Sequence, residues 1–189
     1  GPAGNTNVAA SADGRTIVRA DSAGEVSIWR DGGIAAAPST RFASGGRQLF
    51  SVNSGGGLTL HGLTVRNGSA TNGAAIQVAS GGTLAVDNVS FGGNWALSGS
   101  GGAIHNSGTT TIRHSTFYAN RAGAGGGVFN ANGGTLTIST SVLTANTGGS
   151  CGGTITSGGF NVAEDGSCNF TGRGDINDAP APAHPDAAS

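Results

Sequence analysis

The sequence has no methionine and no lysine, and its 189 residues include only ten acidic residues, five prolines and two cysteines. The formal net charge is −1, so the chain lacks the concentrated positive charge that binds nucleic acid or an acidic membrane surface. No apolar run approaches the length of about 18 residues that suggests a membrane-spanning helix. We therefore expect no nucleic-acid partner and no direct membrane insertion.

Glycine is the residue in excess, with 37 copies. A strict three-residue glycine period is missing and 36% of the residues are hydrophobic, which excludes collagen and argues against general disorder. The length suits one domain, with room for a tail.

A step of 26 residues relates successive segments in the middle of the chain. Each unit reads apolar-x-apolar-x-x-apolar-x-apolar, where alternation predicts strands and the doubled x predicts a corner. A third apolar stretch opens each unit. Together these features predict an all-β parallel β-helix with three short strands per coil of about 26 residues. The predicted inward columns are Leu58-Leu84-Thr110-Leu136, Leu60-Val86-Ile112-Ile138, Leu63-Val89-Ser115-Ser141 and Val65-Phe91-Phe117-Leu143, and the opening stretches contain Phe50, Ile76, Ile104, Val128 and Ile155.

Two further columns have structural interpretations. Corner positions favour residues that tolerate a positive φ, and the mid-unit corner column is Gly62, Asn88, His114 and Thr140. A second column predicts an internal ladder of asparagine side chains, formed by Asn94, Asn120 and Asn146. Asn120→Ala should then cost about 1–3 kcal/mol of stability through orphaned polar groups.

The repeat divides the chain into four parts. Residues 1–48 are expected to form irregular first coils and a cap, with strands near Thr16–Arg19 and Glu25–Trp29, and residues 49–162 the regular coils. A cysteine-bearing closing segment follows at residues 163–178, and a Pro/Ala-rich linker at residues 179–189.

The motifs "GGAI" at Gly101–Ile104 and "FGGN" at Phe91–Asn94, with "FYAN" at Phe117–Asn120, resemble the GGA[ILV] and FxxN repeats of the polymorphic outer-membrane protein family. They also resemble secreted bacterial right-handed parallel β-helix proteins with pectin-lyase-like folds, whose closing segment is similar to Cys151–Asp178. The resemblance implies a right-handed helix and an exported, secreted or cell-surface protein, with any anchor outside this chain. The shared motifs are structural, so no catalytic residue is carried over.

Polysaccharide lyases and hydrolases on this fold need several acidic residues on one face, whereas residues 49–162 contain only Asp87. The repeat stacks His61, Asp87 and Arg113 in one outward column with His114 beside it, and predicts that Asp87 lies near both His61 and Arg113. This patch is interpreted as a surface charge ladder, with a proton-transfer or anion-binding site as the alternative.

Other candidate sites are weighed against structural explanations. Trp95 and Tyr118, with Phe129, could stack on sugar rings, or their loops could fold over their own coils. Cys151 and Cys168 are expected to form a disulfide, which implies an oxidising compartment, with a catalytic cysteine as the alternative. Arg173-Gly174-Asp175 spells an integrin-type tripeptide, for which chance is the preferred explanation. Two remaining hypotheses are disfavoured. One is a Ca²⁺ site formed by Glu164, Asp165, Asp175 and Asp178. The other is an ice-binding threonine array, because its two columns are interrupted: Thr59-Ala85-Thr111-Thr137 and Thr64-Ser90-Thr116-Val142.

The sequence therefore predicts a non-enzymatic extracellular β-helix module, structural or adhesive, that is secreted or displayed on the cell surface. Its expected partners are surface glycans or a host or cell-surface protein, and no cofactor or metal is expected. The alternative is a carbohydrate-binding or polysaccharide-active β-helix.

Overall fold

The structure, a computed structural model, describes residues 48–96 and 98–180 together with the backbone of three earlier strands. Those strands are β1 (Asn7–Ala10), β2 (Thr16–Ala20) and β3 (Glu25–Arg30). The strands expected near residues 16–19 and 25–29 are therefore confirmed. They pair antiparallel with one another, and β3 then pairs parallel with the first regular coil.

The coils are built from three sheets whose strands pair parallel from β4 onwards, with all-β structure and a single short 3₁₀ helix at Gly166–Cys168 within the described residues. Sheet A contains β1, β2 and β3 followed by β5 (Gly57–His61), β9 (Thr83–Asp87), β13 (Thr109–Arg113), β16 (Thr135–Ser139) and β19 (Thr156–Ser157). Sheet B contains β4 (Phe50–Val52), β8 (Ile76–Val78), β12 (Ile104–Asn106), β15 (Val128–Asn130) and β18 (Cys151–Gly152). Sheet C contains β6 (Thr64–Arg66), β10 (Ser90–Gly92), β14 (Thr116–Tyr118), β17 (Val142–Thr144) and β20 (Val162–Ala163). A short pair joins β7 (Ser69–Ala70) to β11 (Trp95–Ala96).

The register confirms the repeat of 26 residues between the regular coils, from β5 to β16 in sheet A and from β6 to β17 in sheet C. Leu58 lies beside Leu84, which lies beside Thr110, and Phe91 lies beside Phe117. Sheet B departs from this step, because Ile104 pairs with Ile76 on one side and Val128 on the other. The loops that enter sheet B differ in length, so the strands stay in register while the sequence spacing changes.

The last coil corrects one prediction. Ile155 was expected to open the final strand of sheet B, but Cys151 pairs with Val128 at that place. Ile155 instead precedes β19 and packs half-buried against the core. The final coil is shorter than the others, so extrapolation of the repeat pointed to the wrong residue.

Left-handed backbone geometry turns the chain at two corners of each coil. The predicted column Gly62, Asn88, His114 and Thr140 has φ values of 64°, 54°, 48° and 49°, which confirms it. A second left-handed column follows sheet C and includes Ala119 and Ala145 with φ of 52° and 53°. The column begins with Asn67 and Gly93, which tolerate this geometry, whereas alanine does not favour it, so residue type alone does not indicate its second half.

The interior is a continuous apolar column that runs through the coils. Phe91 and Phe117 stack inside it with their ring centroids 4.8 Å apart and their planes 9° apart. The predicted inward columns are all buried, including their polar members Thr110, Ser115 and Ser141.

The predicted domain boundaries remain predictions. Ala179 donates its backbone N–H to the carbonyl of Ala163, so the first residue assigned to the linker still contacts the last coil. Most of the predicted linker, residues 181–189, and the remainder of the predicted N-terminal cap lie outside the described residues.

Candidate functional site

Asp87 lies between two histidines on the outer surface of sheet A. Its carboxylate accepts a hydrogen bond from Nδ1 of His61 at 3.0 Å and another from Nδ1 of His114 at 2.8 Å. The side chains are 58% exposed for His61, 46% for Asp87 and 60% for His114. We call these three residues the histidine–aspartate cluster.

The geometry of the corner selects the second partner of Asp87. Arg113 is the cross-strand neighbour of Asp87, as the repeat predicts, but no ion pair joins these two side chains in the structure. His114, one residue further along at the left-handed corner, reaches Asp87 instead. Arg113 therefore lies beside Asp87 as predicted, whereas the second hydrogen bond to the carboxylate comes from His114.

Electrostatics in the cluster favour the charged form of Asp87. The hydrogen bond from His114, helped by His61, holds the pKa of Asp87 below its ordinary value of 3.8, although partial burial opposes this shift. A shallow depression of about 330 Å³ lies beside the cluster and is lined in part by Thr59, Thr111 and Arg113. An exposed carboxylate with a lowered pKa is a weak general base at neutral pH, and Asp87 has no second carboxylate beside it to act as an acid.

Trp95 and Tyr118 lie on different strands and have different environments. Trp95 is 44% exposed, but the guanidinium of Arg121 lies 4.9 Å from the ring centroid and covers one face. Tyr118 is 57% exposed on sheet C and borders a groove of about 450 Å³. Phe129 is half-buried and stacks on His105 in sheet B, with centroids 5.4 Å apart. The structure does not gather these aromatic residues into one surface.

The asparagine column forms a ladder along the helix axis. Oδ1 of Asn120 accepts hydrogen bonds from the backbone N–H and Nδ2 of Asn94 at 3.1 and 2.9 Å. Asn146 accepts the equivalent pair from Asn120 at 3.0 and 3.1 Å. Each Nδ2 also donates to the carbonyl of the preceding coil's strand, as Asn120 does to Phe91 at 3.0 Å.

Two other polar ladders escaped the sequence reasoning. At the first corner, the backbone N–H of Val89 donates to Oγ of Ser115, and that of Ser115 donates to Oγ of Ser141. In sheet B, Nδ2 of Asn106 donates to Oδ1 of Asn130 at 2.7 Å. The serines could have been predicted to form a ladder, because their hydroxyls occupy an inward column that is otherwise apolar. The two asparagines could not, because their spacing differs from the common repeat of 26.

The closing segment is held by a disulfide and by its acidic side chains. Cys151 and Cys168 are bonded, with Cα atoms 4.8 Å apart, which confirms the predicted pair and leaves no thiol for catalysis. Asp165 accepts hydrogen bonds from the backbone N–H groups of Ser150 and Ser167 at 2.9 and 3.0 Å. Glu164 accepts hydrogen bonds from Thr144 and from the backbone of Ala145.

Asp175 is equally committed to structure. Its carboxylate accepts hydrogen bonds from Oγ of Ser157 and from the backbone N–H groups of Asn161 and Gly172. The aspartate of the Arg173-Gly174-Asp175 tripeptide therefore points into the last coil and is not free for a receptor. No cluster of three or more potential metal ligands occurs in the part of the chain that the structure describes, Asp178 included.

His105 is a further residue that the sequence reasoning passed over. Its Nδ1 is buried without a hydrogen-bond partner, and burial lowers the pKa of the imidazole below 6.5. The neutral ring suits the stacking on Phe129.

Comparison with protein families finds a match over most of the chain. A family model described as "Right handed beta helix region" matches residues 17–173. No curated protein and no solved structure matches the chain. Among the described residues, no helix has the length and apolar character needed to cross a membrane.

Proposed function

The chain belongs to the right-handed β-helix family, and from that premise we propose that it is a non-catalytic extracellular module, structural or adhesive. The fold itself does not separate enzymes from non-enzymes, so the proposal depends on the side chains. The observation that supports it most is that the carboxylates of Glu164, Asp165 and Asp175 accept hydrogen bonds from the protein's own backbone.

The carboxylate on the regular coils, Asp87, is placed poorly for attack on a polysaccharide because no second carboxylate lies on those coils. Glycoside hydrolysis needs two carboxyl groups about 5–9.5 Å apart, one of them with a raised pKa so that it can act as an acid. Asp87 stands alone on the regular coils and contacts two histidines. The other acidic side chains lie in the closing segment, at Glu164, Asp165, Asp175 and Asp178.

The direction of the pKa shifts agrees with a structural role. Burial raises the pKa of Asp165, but hydrogen bonds from Ser167 and Ser150 outweigh this effect and lower it. Burial likewise raises the pKa of Asp175, but hydrogen bonds from Ser157, Asn161 and Gly172 lower it. Hydrogen bonds from Thr144 and Ala145 lower the pKa of Glu164. These carboxylates stay ionised and hold backbone N–H groups, which is the opposite of what a general acid requires.

The disulfide supports the extracellular part of the proposal. Disulfides persist in oxidising compartments and are rare in a reducing cytosol. Cys151 and Cys168 join the last strand of sheet B to the 3₁₀ helix, so the bond fastens the end of the solenoid.

Incubation with a panel of neutral and acidic polysaccharides tests the non-catalytic proposal. We expect no new reducing ends and no unsaturated sugar products, for the wild type and for Asp87→Asn alike. Product formation that Asp87→Asn abolishes would overturn the proposal, because it would assign a chemical step to the histidine–aspartate cluster. Arg173→Gln serves as a control at an exposed charged residue far from that cluster in sequence.

Carbohydrate binding is the second candidate function. The exposure of Tyr118 at the edge of the sheet C groove favours it, because aromatic side chains offer a flat apolar face to a ring. Trp95 supports it less, since Arg121 already covers one face of its indole.

A further inference from the structure

We infer that the groove on sheet C is a binding site for one anionic sugar unit, such as a sulfated or carboxylated residue of a polysaccharide. The inference rests on the proposed adhesive function and gives it a ligand class and a location. It moves the carbohydrate site from the loop near Trp95 to a surface formed by β6, β10 and β14.

The groove lies where a column of outward side chains is interrupted by a glycine. Arg66, Gly92 and Tyr118 occupy the same register position on three adjacent strands. A Cβ built at Gly92 would meet nothing closer than 3.8 Å, the carbonyl oxygen of Tyr118, so the space above this glycine is open. Phe91 is buried beneath the same strand and stacks on Phe117, so the packed core lies directly under the floor.

The two ends of the gap differ chemically. Neighbouring strands lie about 4.8 Å apart, so the backbones of Arg66 and Tyr118 are separated by about 10 Å across Gly92. The Tyr118 ring offers a flat apolar surface with a hydroxyl, and the Arg66 guanidinium offers a planar set of donors. No hydrogen bond or ion pair engages either polar end within the described residues.

Hydroxyl groups line one side of the groove. Thr64, Ser90 and Thr116 form the neighbouring outward column, in register with one another, and all three border the groove. Asn67 borders it at the opposite side, at the left-handed corner. A row of hydroxyl groups and one amide group beside a ring-sized gap are suited to the hydroxyls of a sugar.

Charge selects an anionic ligand. Arg66 is the charged residue that borders the groove, and no carboxylate is among its lining residues. Guanidinium groups bind carboxylate, sulfate or phosphate oxygens through paired hydrogen bonds. The depression at the histidine–aspartate cluster is a poorer anion site, because the Asp87 carboxylate lies in its wall.

Isothermal titration calorimetry with three tetrasaccharides tests the inference: one sulfated, one carboxylated without sulfate, and one neutral. We expect saturable binding of at least one anionic probe and none of the neutral probe. Arg66→Gln should weaken binding about tenfold or more, as expected for a charge-assisted hydrogen bond. Tyr118→Ala should weaken it about fivefold through loss of stacking. Gly92→Thr should abolish it by filling the gap, in a strand position that accepts threonine.

Matched variants separate the groove from general effects. Arg113→Gln removes an exposed arginine on sheet A, and Trp95→Ala removes another exposed aromatic side chain. Both variants should bind like the wild type, and each variant should keep the wild-type circular dichroism spectrum.

The outcomes distinguish this inference from the proposed function. Absence of binding to every probe, equal binding of the neutral probe, or unchanged binding by Gly92→Thr and Arg66→Gln would overturn the groove site and leave the non-catalytic proposal standing. Mass spectrometry of the sugars recovered after the titration would reveal cleavage, and shortened sugars would overturn the non-catalytic proposal. Loss of binding in Gly92→Thr would support the groove in that case as well.

Discussion

Removal of the central rung of the asparagine ladder should destabilise the whole solenoid. The Asn120 side chain is fully buried and joins three coils, because it accepts from Asn94 and donates to Phe91 and to Asn146. In Asn120→Ala, the backbone N–H of Asn94 loses its acceptor and the carbonyl of Phe91 loses a donor. Nδ2 of Asn94 keeps its other bond, to the carbonyl of Val65 at 3.2 Å.

The magnitude follows from the number of orphaned groups. A buried polar group without a partner costs about 1–3 kcal/mol, so one fully orphaned donor and one weakened acceptor should cost about 2–4 kcal/mol. For a domain of this size, that loss lowers the melting temperature by roughly 5–15 °C. Urea unfolding followed by circular dichroism measures the free energy of unfolding directly.

A matched asparagine provides the control. Asn132 is exposed in a turn of the next coil, and its side chain makes no hydrogen bond within the described residues. Asn132→Ala should unfold within about 0.5 kcal/mol of the wild type, as most surface substitutions do. If Asn120→Ala unfolds at the same urea concentration as Asn132→Ala, the ladder does not stabilise the fold and the reasoning is wrong.

Three other predictions concern the ends and surface of the solenoid. The Cys151→Ser, Cys168→Ser double variant should lose about 3 kcal/mol in the chain-entropy model, and thiol titration of the denatured, unreduced wild type should find no free thiols, whereas two would contradict the disulfide. Carbon-detected NMR titration of Asp87 should give a midpoint below 3.8. The Asp87 carboxylate then contributes stability above pH 3.8, and this contribution is lost as the pH falls through its lower folded-state pKa. A midpoint at or above 3.8 would refute the role of His114. Asp175→Asn should speed amide exchange at Asn161 and Gly172, because a neutral amide is a weaker acceptor than the carboxylate, and unchanged protection there would refute the structural role of Asp175.

The parts of the fold that follow the common step could be predicted from the sequence. Leu84, Thr110 and Leu136 share one register position because the coils between β9 and β16 have the same length in sheet A. The corner at His114 could be predicted for the same reason, since glycine and asparagine precede it in the column. Periodicity therefore predicted the architecture and the buried polar positions that keep the step of 26, but not the buried Asn106 and Asn130.

Contacts that depend on side-chain reach or on changes in loop length could not be predicted. The step places Arg113 beside Asp87, but it contains no information on the corner geometry that brings His114 to the carboxylate. The shortened last coil hid the pairing of Cys151 with Val128. The groove on sheet C depends on a side chain that is missing, at Gly92, and a glycine in a glycine-rich sequence gives little signal.

The central claim is that each regular coil places equivalent residues side by side, with a step of 26 from β5 to β16 in sheet A and from β6 to β17 in sheet C, and an altered step in sheet B. Nuclear Overhauser contacts between backbone protons of adjacent strands measure this register directly. The account predicts contacts between Leu84 and Thr110 and between Phe91 and Phe117, together with contacts from Ile104 to Ile76 and to Val128. Contacts of Ile104 with Val78 and Asn130, as a uniform step would require, or an absence of contacts between coils, would contradict it.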